Sequence, residues 1–414
     1  MLPASRPQSV AACPMSNESY NPVVAWIASG KLYVRRQDGT VDEIESDFAR
    51  NSLEREARHA QAHAWKGRSG VWGEMGIQPP GAAPWDAQES RRTIRFMAIA
   101  RGDSPNEIYY ILDLGPVGGL FMYDLESEEE TRLMHSQGFI ATDLSRHPED
   151  GRIAVALPRD DGTIGLSVTR NDGLFPQAIS ISDSSNEAPC WLQDGSARIV
   201  FQSSAVGRNE NGLAVGNSSY RIEQLDLDDE KIESLLEEDN YDLIAPKATE
   251  DGTLLFIRRP HKVTHAQKQS IGETLKDALL FPFRLIRMFI YLFNFMSKAF
   301  TGKPLMRAGV PENEVHRSPF LMLYGQAVDT RLAMKKGAGN HGTGPLVPKE
   351  WKLVRRSPDG GQTILATNVL SFDVSPGGSV IYTDGSSVFH VNDSAQQDKV
   401  TAGNMIERVL VLKD

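Results

Sequence analysis

Cysteine is nearly missing from this chain of 414 residues, in which Cys13 and Cys190 are the only two. Neither a disulfide framework nor a thiolate metal site can be built from them; Cys190, beside Trp191, is expected to be a small buried apolar residue. Positive charge is also short: 54 acidic residues face 44 basic ones, a net charge of -10. No Lys/Arg block accompanies aromatic stacking motifs, so phosphate contacts are disfavoured and no nucleic-acid partner is expected. The opening "MLPASRPQSVAACPMSNESYNPVVAWI" lacks the charged-then-apolar pattern of a secretory signal, and the expectation is a cytoplasmic protein with a disordered tail over 1–21. Phosphate loops are lacking as well: "GAGNHGTG", Gly337 to Gly344, has no Lys-Ser/Thr ending and reads as a loop. There is no G-x-S-x-G nucleophile elbow.

What is present is a repeat. "TDLSRHPEDGRIAVAL" from Thr142, "APCWLQDGSARIVFQS" from Ala188, "APKATEDGTLLFIRR" from Ala245 and "FDVSPGGSVIYTDG" from Phe372 share one pattern. Each is a short strand, a polar turn ending in Gly151, Gly195, Gly252 or Gly378, and a second strand of β-branched and aromatic residues; glycine tolerates the positive φ such a turn needs. Two further short strands follow each hairpin, as in "TIGLSVTR" and "PQAISIS" after Gly151. Four strands recurring about every 45 residues predict a β-propeller rather than a sandwich.

Six units can be counted. The first, Val23 to Ser46, supplies three strands; the second runs from Thr93 to Ser136, and the others begin at Phe139 and near Asn186, Tyr241 and Val369. The final "MIERVLVLKD" stands where a blade's first strand belongs and has no turn after it. It is expected to pair with the first unit, completing that blade and protecting two edges. The fold class is therefore all-β: a six-bladed β-propeller closed by its N- and C-terminal strands, forming a single domain over 22–414 with insertions at 47–92 and 260–318.

The hairpin "DVSPGGSVIYTDG", its variants and "SPDGGQTILAT" at Ser357 resemble the SPDG repeats of TolB-like six-bladed propellers. The resemblance covers Val23 to Asp414 apart from the insertions and implies architecture. The signal peptide and additional α/β domain of TolB are not seen in this sequence.

The first insertion opens with helix formers, "NSLEREARHAQAHAW", and predicts a helix followed by a Gly/Pro-rich loop. The second holds "ALLFPFRLIRMFIYLFNFMSKAF", Ala278 to Phe300. Ser270 and Glu273 form a capping box before it, Gly302 and Pro304 stop it, and Pro282 kinks it. Asp277, Arg284, Tyr291 and Lys298 recur every seven residues, with Arg287 and Asn294 on the adjacent stripe, so polarity lies along one face of an amphipathic helix. Eleven Leu, Ile or Phe between Ala278 and Ser297 favour insertion by roughly 5 kcal/mol, but Arg284 and Arg287 cost about 2.5 each near the centre. A span gains nothing, whereas lying in the headgroup region keeps the arginines solvated. Between Lys262 and Arg307, eight Lys/Arg face only Glu273 and Asp277, a balance that anionic lipid attracts. Three uses are open to this helix: contact with an anionic membrane surface, an interface with a protein partner or second copy, or packing on the propeller itself. The expected contact residues are Arg284, Arg287 and Lys298 for headgroups or acids and Phe289, Phe293 and Phe295 for apolar insertion.

For chemistry, the inner-strand ends offer Asp143, His147, Asp194, Asp251 and Asp373, which are read as turn-fixing side chains. The pairs His59/His63 and His261/His265 have helical metal-ligand spacing but no third ligand. No catalytic residue, metal or cofactor is assigned. The expected function is a non-catalytic, protein-binding scaffold peripheral to the cytoplasmic membrane. The alternatives are a hydrolase or lyase acting in the propeller channel, and a subunit of a larger complex that uses the helix as its interface.

Overall fold

A computed structural model describes residues 21–64, 94–170, 177–179, 183–208, 214–262, 320–323, 326–329, 344–392 and 395–414. They form six sheets with a four-stranded antiparallel path, the blades of a six-bladed β-propeller, plus one helix and one separate hairpin among the described residues. The chain divides into two compact units, one of residues 1–138, 371–383 and 387–414, the other of 139–370 and 384–386.

The first unit holds three blades, with strands numbered along the chain. Blade one is β1 (Val23–Ala28), β2 (Lys31–Arg35) and β3 (Val41–Ile44), completed by the C-terminal β27 (Ile406–Lys413), which pairs antiparallel with β1. Ala25 faces Leu410 and Trp26 faces Val409. The sequence therefore announced the closing strand correctly. Blade two is β4 (Arg95–Arg101), β5 (Glu107–Asp113), β6 (Val117–Asp124) and β7 (Glu129–Gln137). Blade six is β23 (Ser371–Val374), β24 (Val380–Thr383), β25 (Ser387–Val391) and β26 (Gln397–Ala402).

Burial on both faces explains why β1 reads VVAWIA instead of alternating. Ala25 and Ile27 pack with Phe96 and Tyr110 of blade two, while Val24 and Trp26 on the opposite face pack with Ile381 and Val388 of blade six. Helix α1 (Asp47–Ala64) links β3 to β4. Ser46 caps it, its hydroxyl accepting from Ala49 N-H at 3.2 Å, and Glu130 of β7 accepts from Phe48 N-H at 2.7 Å, so a carboxylate sits at the positive end of the helix dipole.

The second unit holds the other three blades. Blade three is β8 (Asp143–Arg146), β9 (Ile153–Pro158), β10 (Ile164–Thr169) and the two-residue β11 (Gln177–Ala178). Blade four is β12 (Ser184–Trp191), β13 (Arg198–Arg208), β15 (Arg221–Asp226) and β16 (Lys231–Leu236), with β14 (Ala214–Asn217) folded onto the far end of β13. Blade five is β17 (Tyr241–Ala248), β18 (Leu254–Pro260), β21 (Lys352–Arg356) and β22 (Gln362–Thr367). Its β18 and β21 pair directly, Leu254 opposite Arg356 through Arg258 opposite Lys352. The second insertion therefore occupies everything between β18 and β21 and extends past the expected end at Ser318. The apolar run after Ser318 pairs with itself as a hairpin of β19 (Phe320–Leu323) and β20 (Gln326–Asp329) instead of joining the blade.

The repeated turns are built alike. Gly151, Gly195, Gly252 and Gly378 all have positive φ, between 75° and 87°, each joining a blade's first strand to its second. In the Ser375 turn, Ser375 N-H donates to Ser379 at 2.9 Å and Gly378 N-H to Ser375 at 3.0 Å. Ser357 and Gly360 repeat that pattern, but between the third and fourth strands of blade five, because the signature specifies a turn and not which strands it joins.

Candidate functional site

The inner strand of blade four carries its polarity inward. Ser184, Ser185, Asn186 and Glu187 of β12 are all buried, and across the ladder Ser185 faces Ser204, Asn186 faces Ser203 and Glu187 faces Gln202, all three buried too. The strand then bulges at Ala188, whose φ is 50°, and β17 of blade five bulges at Ala245 with φ 53°. Both alanines precede proline, in the "AP" that opens two of the sequence repeats. A left-handed alanine is strained and persists only where its surroundings hold it; at Ala245 the N-H donates to Gln202 Oε1 at 2.7 Å.

Glu187 is the centre of this region. Its Oε1 accepts from the Tyr220 hydroxyl at 2.7 Å and from Ser185 Oγ at 3.1 Å. Burial pushes its carboxyl up to about 7; hydrogen bonds from Tyr220 and Ser185 and the charge of Arg259 pull it down, while Asp143 pushes it further up. Tyr220 is held well above the ordinary phenol value by burial and by the adjacent carboxylate. The Tyr220 N-H meets Asp242 Oδ1 at 3.2 Å. Asp242 also takes Arg259 Nε at 3.0 Å and His261 Nδ1 at 2.6 Å. Arg259 is fully buried and lies over the Trp351 ring at 4.8 Å. Gln202 Nε2, by contrast, has no hydrogen-bond partner among the described residues.

The arrangement links blade four to both roots of the blade-five insertion, His261 at its exit and Trp351 at its return, with the charge of Asp143 in blade three felt at Glu187. Chemically it provides a carboxyl that exchanges its proton near neutrality and a buried ion pair whose charges answer one another. Most of its hydrogen-bonding atoms are engaged within the cluster.

The five inner-strand candidates fall into two groups. Asp194 accepts from Ser196 N-H at 3.0 Å and from Arg198 at 2.5 Å; burial opposes ionisation, but these partners hold its carboxyl below the usual range. Asp251 is lowered likewise by Thr249 and Thr253. His147 Nδ1 accepts from Glu149 and Asp150 N-H at 3.2 and 3.1 Å, and its ring stands edge-on to Trp191 at 4.8 Å. These three are turn chemistry. Asp143 and Asp373 instead lie in strands and are buried, with Asp373 accepting from Val411 N-H at 3.0 Å and Arg101 at 3.2 Å. Cys190 is buried.

Arg284, Arg287, Phe289, Phe293, Phe295 and Lys298 lie outside the described residues, as do His265, Cys13 and the loop at Gly337; the side chains of His59 and His63 are not described either. Among the described residues no three His, Cys, Asp or Glu side chains are grouped to hold a metal ion, and no helix is long and apolar enough to cross a membrane. Sequence reasoning missed Glu187, Tyr220, Asp242 and Arg259. The available signal was a charged residue inside an otherwise buried strand run, at "SSNEAPCW" and "YDLIAP".

No family model matches the sequence, and no curated protein matches it. Among solved structures, the resemblance to TolB-like propellers recurs: the chain is similar to TolB from Acinetobacter baumannii at 11% identity and a TM-score of 0.48, over 94% of this chain and 66% of that one. It is also similar to a chain in a nidogen/laminin complex (8% identity, TM-score 0.46, 95% and 99% covered). The tricorn protease is a third likeness (11% identity, TM-score 0.39, 94% of this chain and 34% of that one). This chain thus spans about two thirds of that TolB chain and a third of the protease. At such identities and TM-scores these likenesses say nothing about activity.

Proposed function

We propose that this chain is a non-catalytic protein-binding platform, held peripherally at the cytoplasmic face of a membrane by the basic amphipathic segment 271–301. The observation that carries the reading is the direct pairing of β18 with β21. The two ends of the insertion are fixed side by side at one end of the two central strands of blade five, so the segment leaves and returns on the same side of any bilayer. A single crossing would tear that ladder apart; an excursion lying in the interface leaves it intact. The sequence balance of eight Lys/Arg against two acids between Lys262 and Arg307 adds attraction to anionic headgroups, in a chain whose overall charge is repelled by them. The binding-platform half of the reading rests on the propeller fold, a rigid scaffold that carries its connecting loops at the ends of the blades.

The test is co-sedimentation with anionic and neutral liposomes at low and high salt, using the full chain and the double variant Phe289→Asp/Phe293→Asp. Salt-sensitive binding to anionic vesicles that the variant loses while keeping its circular dichroism supports the reading. Equal binding by the variant, or none by the native chain, removes it.

A further inference from the structure

The turn between β8 and β9 rests on a histidine whose two ring nitrogens do opposite jobs. Nδ1 of His147 faces the N-H groups of Glu149 at 3.2 Å and Asp150 at 3.1 Å, while Nε2 faces the carbonyl of Ser196 in blade four at 3.2 Å. A backbone N-H only donates and a carbonyl only accepts, so Nδ1 is bare and Nε2 carries the hydrogen. One form of the ring makes all three bonds, the neutral Nε2-H tautomer. The ring is 2% exposed and stands edge-on to the buried Trp191.

The tip of this hairpin lies against the equivalent turn of blade four. Gly195, with a φ of 75°, approaches Glu149 so closely that a Cβ there would come within 2.2 Å of Oε1. Arg152 lies over the Trp191 ring at 5.1 Å. His147 thus shapes the tip through Nδ1 and ties it to its neighbour through Nε2.

The charged groups around the ring come from both turns. Asp150 binds Arg152 at 2.7 Å and Asp194 binds Arg198 at 2.5 Å; Arg146 donates to the His147 carbonyl at 3.3 Å, and Glu149 sits at the tip. Burial opposes ionisation of Asp150, but hydrogen bonds from Arg152 hold its carboxyl below the usual range, as Ser196 and Arg198 do for Asp194. Both aspartates therefore stay ionised between about pH 8 and pH 5, the interval in which a histidine changes charge. A second proton can enter the ring only at Nδ1, and there it expels both N-H donors. Asp150 Oδ1, 3.2 Å from Nδ1, is placed to take the new N-H, although it already serves Arg152 N-H at 2.9 Å.

We infer that His147 is a proton-operated latch on the blade-three hairpin: neutral, it fixes the tip at 148–151; protonated, it lets the tip go while Nε2 keeps hold of Ser196.

NMR of the full chain with 15N-labelled histidine tests this, His147 being the signal that the variant His147→Asn lacks. The Nε2-H tautomer is expected at about pH 8 and the imidazolium at about pH 5. Amide exchange at Glu149 and Asp150 should then quicken about tenfold beyond its intrinsic dependence on pH, as the loss of a hydrogen bond requires. In His147→Asn the side-chain oxygen can accept from the same two N-H groups as an Asx turn and takes up no proton, so those amides should stay equally protected at both pH values. An Nδ1-H tautomer at the higher pH, or a ring that stays neutral at the lower one, overturns the inference. Protonation without faster exchange overturns it as well, since other bonds would then hold the tip. Acid-quickened exchange that persists in a folded His147→Asn would assign the effect to the aspartates and overturn it equally. Should that variant not fold, the native titration and exchange decide alone.

Discussion

Tyr220 gives its hydroxyl hydrogen to Glu187 at 2.7 Å in the interior of blade four, and its backbone N-H to Asp242 of blade five at 3.2 Å. One residue thereby joins a carboxyl raised by burial to an ion pair that holds the roots of the insertion. A buried network of this kind has high stakes: satisfied, it fixes one arrangement of two blades, and broken, it leaves polar groups stranded.

The pH dependence follows from Glu187. Its folded value of about 7 lies above the 4.5 ordinary for glutamate, so between these values the folded protein holds a proton that the unfolded chain has released. Its contribution to stability is complete below the unfolded value and is lost as pH rises through about 7. Glu187→Gln keeps the shape and removes the titration. The native protein is expected to lose about 2.5 kcal/mol relative to the variant between pH 5 and pH 8, read from urea unfolding at both. Parallel curves would show that Glu187 is ionised throughout.

Glu130 organises the start of α1. One oxygen accepts from Ser46 at 2.5 Å and from the Tyr110 hydroxyl, the other from Phe48 N-H at 2.7 Å. Ser46→Ala should cost about 1 kcal/mol by removing the cap. Glu130→Ala should cost roughly 2–3, since three donors lose one charged acceptor. The double variant should cost less than the sum, because the residues share a bond. Additive losses in denaturant melts would mean that cap and carboxylate act independently.

Much of the fold was legible because burial on both faces writes itself into composition: "VVAWIA" and "RVLVL" are apolar without alternation, and their partnership followed from an unpaired strand at each end. Turn glycines marked the hairpins, but the Ser357 turn carries the same signature as the Ser375 turn, and only the ladder distinguishes their places. The return point of the insertion was hidden because "FLML" looks like blade and pairs locally. Glu187 and Tyr220 are far apart in sequence, and no local pattern states that β12 and the start of β15 present them to each other. Ser46 was similarly silent, since its acceptor Glu130 lies in another blade.

Asp373 of blade six ties the C-terminal strand β27 to Arg101 of blade two. It accepts from Val411 N-H, while Arg101, bound to Asp373 at 3.2 Å, also donates to the Val411 carbonyl at 2.8 Å. Asp373→Ala is expected to cost roughly 3 kcal/mol by leaving a buried N-H without its acceptor and a largely buried guanidinium without its counter-ion. Hydrogen exchange should quicken first in β27 and β1. Loss spread evenly over all blades would mean that Asp373 serves global stability and not closure.

Arg259 and Asp242 offer the sharpest test of what holds the insertion's roots. Both are buried, and the guanidinium is bonded to the carboxylate at 3.0 Å while lying on Trp351. Arg259→Leu would strand the carboxylate among His261 and Tyr220 and should cost roughly 3–5 kcal/mol, since uncompensated buried charge is the dominant penalty. Arg259→Lys would not rescue it, because an ammonium lacks the planar face that stacks on an indole. Arg259→Leu with Asp242→Asn removes both charges and should recover more than half of the loss. If the pair acts as a clamp, the double variant will regain melting temperature and yet admit limited proteolysis beyond His261 faster than the native chain. Recovery of both together would instead make the ion pair a stability element that apolar packing can replace.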